Sequence, residues 1–221
     1  MGADRSLTED LDGVVSVVVD ALRPAVDQDW SVPAGTLDWS CRDTAEHLGT
    51  VFVHYAAQLA VRARTRYVRW VSRSPEVAPP AGVLEFVEGA GRICALTVAG
   101  TAPTARAFHP YGISDPEGFA GGCCIEALVH GYDIATGLGV PFDPPRDLCV
   151  RILARMFPHH TATLADADTD PWTALRWATG RADLPGLPTV GTWKWRATPL
   201  DEPWTTPTPE PMPFVLLPAG D

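Results

Sequence analysis

One stretch, residues 123–134 (CCIEALVHGYDI), most constrains how this chain can fold. Its pattern predicts a helix, and an advance of about 100° per residue puts Glu126, His130 and Asp133 on one stripe that begins at Cys123. The other faces are apolar, so the helix is expected to be buried in a bundle. A buried stripe of two carboxylates and an imidazole is destabilising unless a partner satisfies it. A metal ion is the simplest such partner.

The boundaries of this helix can be read from the flanking residues. Asp115 or Ser114 can cap its start, and Pro116 suits a first helical position. Gly137 or Gly139 can end it.

Glu126 and His130 are four residues apart, which lets both side chains reach one ion from the same face of a helix. The alternative is a core histidine hydrogen-bonded to a neighbouring carboxylate, and a third ligand is needed to decide. His47 lies about two turns into a helix that Ser40 can begin, and two bundle neighbours could bring it to Glu126. His54 shares the face of His47 but is expected to be a buried, hydrogen-bonded histidine.

Composition narrows the class of protein. The 221 residues suit one domain, or one domain with a small appendage, and 46% hydrophobic content is ample for a core. A net charge of −10 argues against nucleic acid or an anionic membrane as partner. No apolar run reaches the roughly 18 residues that span a bilayer, and the N-terminus lacks the pattern of a signal peptide. We therefore expect a cytoplasmic protein whose five cysteines are free thiols.

The chain in order predicts four long helices with a fifth beside them. A capping box at Ser6 begins the first helix and Pro24 ends it. The second helix runs at least to Arg62, the third covers about residues 81–98, and the fourth is the central helix. Asp143 is expected to cap the fifth helix, residues 148–157, with Pro144 at its first position.

The C-terminal part is predicted to be small and mixed. Residues 158–170 are expected to be an exposed connection, followed by a short helix over 172–179 that begins at Asp170-Pro171 and ends at Gly180. Residues 193–196 alternate like a strand, and the tail from Pro199 is rich in proline. The predicted fold is mainly α: a helical bundle over residues 1–158, and a C-terminal region, 159–221, packed on it.

Arginines recur at four positions of one predicted helical stripe: 62, 66, 69 and 73. In an acidic protein they could steer an anionic substrate. The interpretation we favour is a solvated face near a helix C-terminus.

Other histidines are weaker candidates for ligands. His109 precedes a proline and is expected to form hydrogen bonds within a loop. His159 and His160 lie in the polar connection.

Two widely separated motifs resemble a known family. Residues 39–48 (WSCRDTAEHL) resemble the opening of the second helix in the DinB-like superfamily. Residues 126–135 (EALVHGYDIA) resemble a motif of its mycothiol-dependent maleylpyruvate isomerase branch. The likeness extends to residues 109–112 and 175–181, and so covers most of the chain.

The resemblance implies a four-helix bundle in which His47, Glu126 and His130 bind a metal, usually zinc. Three protein ligands leave a fourth position open, as in catalytic zinc sites. Arg181 is the candidate for a C-terminal arginine that assists catalysis in the isomerase branch. Asp133 is expected to contact the substrate or to support the ligands. Cys123 could be a further soft ligand, although a buried structural cysteine is favoured.

The function implied is a metal-dependent transferase or isomerase that uses the thiol mycothiol against a small electrophile. Two alternatives stay open: a small-ligand binding protein without turnover, and a metal-assisted hydrolase or cyclase that needs no thiol. The sequence does not fix the substrate or the oligomeric state.

Overall fold

The computed structural model of the chain describes residues 5–165 and 167–208. These residues form seven α-helices: α1 (Leu7–Leu22), α2 (Cys41–Val61), α3 (Pro80–Ala99), α4 (Pro116–Leu138), α5 (Arg146–Met156), α6 (Thr161–Ala165) and α7 (Pro171–Ala178). No β-strand occurs in the described part. The prediction of a mainly α bundle with four long helices is confirmed.

The four long helices pack as a square, in the spatial order α1, α4, α2, α3. Glycines allow close approach at some of these contacts. A Cβ at Gly49 of α2 would overlap the ring of Phe86 on α3, and a Cβ at Gly91 of α3 would overlap Val15 on α1. The core lies inside this square and is made almost entirely of aliphatic and aromatic side chains.

Two of the neighbouring long helices run parallel. The Arg42 guanidinium at the start of α2 donates to the Ala78 carbonyl just before α3. Seven residues later, Gly49 packs against Phe86. The chain must therefore travel back along the full length of α2 before α3 can begin.

The helix starts follow their caps. Ser6 and Glu9 form the predicted capping box of α1, and Ser40 accepts from the backbone of Asp43 at the start of α2. Asp115 caps α4, whose C-cap is Gly139 in the left-handed conformation. The predicted boundaries of these helices are confirmed to within a residue or two.

Residues 62–79, which we call the strap, make the return from α2 to α3. Four α2 side chains spaced one turn apart bind its backbone: Gln58 binds Ala63, Arg66 and Val68; His54 binds Trp70; Thr50 binds Ser72; and Glu46 binds Ser74. This polar stripe satisfies the strap's peptide groups, as buried backbone requires.

The prediction of a helical arginine stripe is wrong. Helix α2 ends at Val61, and Arg62 takes the left-handed conformation (φ 56°) that turns the chain into the strap. The Gln58 side-chain amide forms hydrogen bonds with the strap backbone. These bonds favour the strap over a further turn of helix. Arg62, Arg69 and Arg73 are exposed on the strap.

One prediction for the region after α4 is also wrong. Helix α5 begins at Arg146 after Pro145, and no side chain caps it, so Asp143 lies outside the helix. Residues 158–165 have no buried side chain, as expected of an exposed connection, but they are helical, because a 3₁₀ turn, Pro158–His160, leads directly into α6.

Residues 193–196 do not form the predicted strand. Their alternation reflects packing on one side, because Trp195 is 3% exposed. Residues of α5 satisfy the backbone of Arg196: its N–H donates to the Met156 carbonyl, and the Arg155 side chain donates to the Arg196 carbonyl. Helix α7 matches its prediction, with Asp170 as N-cap. The division at residue 158 stays a prediction, and residues 209–221 of the proline-rich tail lie outside the described residues.

Two further expectations concern the environment of the protein. All five cysteines are free and buried. Among the described residues, no helix combines the length and apolar character needed to cross a membrane.

Candidate metal centre

The structure brings His47, Glu126 and His130 together at the contact of α2 and α4. One ligand atom from each residue lies within 4.8 Å of the others. The Glu126 Oε2 atom is 3.4 Å from His47 Nε2 and 3.1 Å from His130 Nε2. His47 is 8% and His130 7% exposed, and the Glu126 side chain is 12% exposed. His47 therefore lies where the third ligand is needed to distinguish a metal site from a hydrogen-bonded histidine.

This spacing suits a tetrahedral ion. Atoms bound at roughly 2.0–2.2 Å from one zinc ion lie about 3.3–3.6 Å apart, so the two separations in the structure need little adjustment. The two imidazoles also approach closely, with ring centroids 4.8 Å apart at 81°. Two nitrogens and one carboxylate oxygen form the donor set of many catalytic zinc sites.

The charges of the three groups depend on one another. Burial alone raises the pKa of Glu126, but the hydrogen bonds and charges of His130 and His47 outweigh it and hold that pKa well below its usual range. Burial lowers the pKa of His47, which favours the neutral imidazole that binds metals. Burial opposes charge on His130 too, yet Asp133 and Glu126 raise its pKa to about 9. His130 must therefore lose a proton before it can bind a metal.

A chain of contacts leads from His130 to the C-terminal region. His130 Nδ1 lies 3.3 Å from Asp133 Oδ2, without the alignment of a good hydrogen bond. Asp133, 3% exposed, accepts a 3.1 Å hydrogen bond from Arg181. Arg181 also donates to the Thr179 carbonyl, and its guanidinium lies over the Trp193 ring. The two residues predicted to be catalytic are therefore paired with each other, and Asp133 faces the far side of the His130 ring.

Asp133 and Arg181 also line a cavity of about 310 Å³. Its other walls come from α4 and from the loops on either side of it, with Thr36, Thr136 and Thr189 supplying hydroxyl groups. This cavity is polar and adjoins the contact chain.

Sequence reasoning missed Trp39 as part of the site. Its indole stacks at 24° on the His130 ring, with centroids 6.4 Å apart, and lies 5.1 Å from the His47 ring. Trp39 stands in the first motif, two residues before α2 begins at Cys41. Only the structure shows that the loop folds back over both imidazoles.

The remaining candidates lie outside the cluster. His54 Nδ1 donates to the Trp70 carbonyl at 3.3 Å, and His109 accepts from the Tyr111 backbone, so both are hydrogen-bonded histidines as predicted. Cys123 is fully buried, with its sulfur 3.4 Å from that of Cys94. His159 and His160 belong to the 3₁₀ turn after α5 and are not part of the cluster.

A helical bundle with a buried His–Glu–His cluster defines a class of proteins that can bind a metal between helices. Residues 12–135 match the family model described as mycothiol maleylpyruvate isomerase N-terminal domain. This match spans more than half of the chain, and the chain belongs to that family, a member of the DinB-like group. Neither the curated proteins nor the solved structures include a match to it.

Proposed function

We propose that this protein is a metal-dependent enzyme with mycothiol as its thiol co-substrate. It either transfers this thiol to a small electrophilic molecule or uses the thiol to isomerise that molecule. The observation that carries the proposal is the His47–Glu126–His130 cluster, in a chain whose family is named for a mycothiol-dependent isomerase. Cytoplasmic location is part of the proposal, since it suits five free cysteines.

The residues present fit a zinc ion. A carboxylate and two imidazoles are buried with their donor atoms converging, and Glu126 Oε2 lies between the two imidazole Nε2 atoms. An ion would satisfy all three groups at once. Three ligands would leave an open position, and a bound zinc ion would hold a thiol there as its thiolate.

The role of the protein's own residues is to position this site. His130 would bind through Nε2, which faces Glu126, while Nδ1 faces Asp133. Asp133 would orient the ring and make it a stronger ligand, as carboxylates behind metal-bound histidines do. Arg181 would hold Asp133 in place. We thus assign Asp133 and Arg181 to positioning the ligand, and Arg181 acts through Asp133.

The C-terminal region, 159–221, is proposed to serve the bundle by supplying Arg181. The guanidinium reaches α4 from the turn after α7, where Gly180 takes a positive φ of 69°. A bundle lacking this region would keep the three ligands but lose the contact to Asp133.

Mycothiol binding tests the proposal. Calorimetry of the zinc-loaded wild type should show one mycothiol per chain, and zinc-loaded Gln28→Ala, altered at an exposed residue outside the cluster and the cavity, should bind equally. Absence of binding to the zinc-loaded wild type would contradict the thiol dependence. Binding without turnover of any electrophile would instead favour a carrier protein, and turnover without a thiol would favour metal-assisted hydrolysis or cyclisation.

A further inference from the structure

The strap is basic, although the protein as a whole is acidic. Residues 62–79 contain five arginines and one glutamate, whereas the net charge of the whole chain is −10. Four of these arginines are exposed: Arg62, Arg64, Arg69 and Arg73. In the part of the chain that the structure describes, none of these four guanidinium groups has an ion pair or a hydrogen bond. The strap therefore presents positive charge that the protein's own described carboxylates leave unpaired.

Residues 70–74 of the strap are extended and run antiparallel to α2. Side chains of α2 spaced four residues apart bind strap backbone groups spaced two residues apart: His54 binds Trp70, Thr50 binds Ser72 and Glu46 binds Ser74. Four residues of a helix rise about 6.0 Å, and two residues of an extended chain rise about 6.6 Å. The two spacings match because this part of the strap is extended. A tight turn, in which the Trp70 N–H donates to the Val68 carbonyl, precedes it.

One edge of this extended segment has no partner. In an extended chain, the N–H and C=O groups of alternate residues point to the same edge. The Trp70 and Ser72 carbonyls and the Ser74 N–H bind α2, so the backbone groups of Val71 and Arg73 point away from it. Among the described residues, no hydrogen bond uses the backbone of Val71 or Arg73. Both residues are exposed, Val71 to 42%. This edge is free to pair with another strand.

The side chains along this edge determine what can pair with it. Val71 and Arg73 are two residues apart, so their side chains lie on the same face of the extended segment. Apolar and opposite-charge pairs across two strands are stabilising, and like charges directly opposite each other are destabilising. A second copy of the strap would bring its own arginines to this edge and is disfavoured. A strand with an acidic residue two positions from an apolar one matches Arg73 and Val71.

We propose that residues 70–74 bind an extended acidic segment of another protein by strand addition. The backbone of that segment bonds to Val71 and Arg73, one of its apolar side chains packs on Val71, and one of its carboxylates pairs with Arg73. The remaining unpaired arginines attract the acidic segment to the strap. The inference is independent of the proposed function, because no strap residue belongs to the His47–Glu126–His130 cluster.

A short synthetic peptide, acetyl-SETVTES-amide, is the probe for this edge. Its sequence reads the same in both directions, so a glutamate stands two positions from the valine in parallel and antiparallel pairing alike. NMR titration of the wild type measures the affinity, and hydrogen exchange at the Val71 and Arg73 amides should slow when the peptide is in excess. The counterpart with lysine in place of glutamate, acetyl-SKTVTKS-amide, should not bind.

Two variants separate the contributions of backbone and charge. Val71→Pro removes the outward N–H and keeps the three contacts with α2, since proline is tolerated at the free edge of a strand. It should weaken binding of the glutamate peptide about tenfold. The double variant Arg69→Gln, Arg73→Gln should weaken it about three- to tenfold, with the larger effect at low salt. The urea midpoints of both variants should match that of the wild type.

Arg146→Gln is the matched control for charge, because Arg146 is exposed and lies outside the strap. It should bind the glutamate peptide as the wild type does. A wild type that does not bind this peptide, or that binds the lysine peptide equally well, overturns the inference. Wild-type affinity in the double arginine variant overturns it too.

Anionic lipid is the other partner that exposed arginines beside a tryptophan can suit, and Trp70 is 52% exposed. Sedimentation with phosphatidylglycerol vesicles tests it separately. Binding to these vesicles without binding to the glutamate peptide would overturn strand addition and assign the strap to a membrane surface.

Discussion

Asp133 and His130 face each other on α4, with Oδ2 of one 3.3 Å from Nδ1 of the other. The imidazole is thereby held between two carboxylates, since its Nε2 atom faces Glu126. Asp133→Asn should lower zinc affinity by about 10- to 100-fold, because the neutral amide neither orients the ring nor increases its basicity. Competition for zinc with a chelating dye measures this affinity.

The control is Asp183→Asn, because Asp183 is exposed and lines the same cavity as Asp133. This variant should keep the zinc affinity of the wild type. Equal zinc affinities for Asp133→Asn and the wild type would contradict the role of Asp133.

Arg181 should act on the metal through Asp133. Arg181→Gln should weaken zinc binding in the wild type but have little further effect in Asp133→Asn, because the residue it supports has already lost its charge. The double-mutant cycle should give a coupling energy of about 1 kcal/mol or more. Additive effects of the two substitutions would show that Arg181 acts independently of Asp133.

The strap should depend on Gln58 for its attachment. This residue is fully buried and makes three hydrogen bonds to strap backbone groups. Gln58→Ala leaves those groups unsatisfied and should lower the free energy of unfolding by about 2–4 kcal/mol. Urea denaturation measures the change, with exposed Gln28→Ala as the control. A loss below about 0.5 kcal/mol in Gln58→Ala would mean that water replaces these bonds.

Buried neutral histidines should make the fold sensitive to acid. Burial lowers the pKa of His54 to about 4, against 6.5 in the unfolded chain. Below pH 6.5 the unfolded state therefore binds a proton that the folded state does not bind. The His54 contribution to the free energy of unfolding is thus fully present above pH 6.5 and is lost as the pH drops toward 4. His54 alone accounts for about 2 kcal/mol between pH 7 and pH 5.

Unfolding of His54→Gln at both pH values checks this effect. The variant should lose about 2 kcal/mol less than the wild type over that interval. His159→Gln, altered at an exposed histidine, is the control. An identical pH dependence in wild type and His54→Gln would mean that His54 is protonated in the folded protein.

The sequence predicted those features that depend on local chemistry. Caps at Ser6, Ser40 and Asp115 are short-range hydrogen bonds, and the spacing of Glu126 and His130 follows from helix geometry. The meeting of His47 with Glu126 follows from bundle packing, and the structure shows that contact. Whether these residues bind a metal stays a prediction.

The strap and the conformation of residues 193–196 could not be predicted in the same way. Arginines 62–73 have helical spacing, but Gln58 and His54 offer the backbone better partners than another helical turn does. Residues 193–196 alternate like a strand although no partner strand lies beside them in the described residues. Such outcomes depend on groups distant in sequence that compete for the same peptide hydrogen bonds.

Metal content is the most direct test of the account, since the proposed function depends on His47, Glu126 and His130. After zinc reconstitution and desalting, elemental analysis of the wild type should find one zinc ion per chain. His130→Ala should lose it, whereas His54→Ala, a buried histidine of α2 outside the cluster, should keep it. A wild type without stoichiometric metal, or a His130→Ala variant that retains zinc in full, would contradict the assignment.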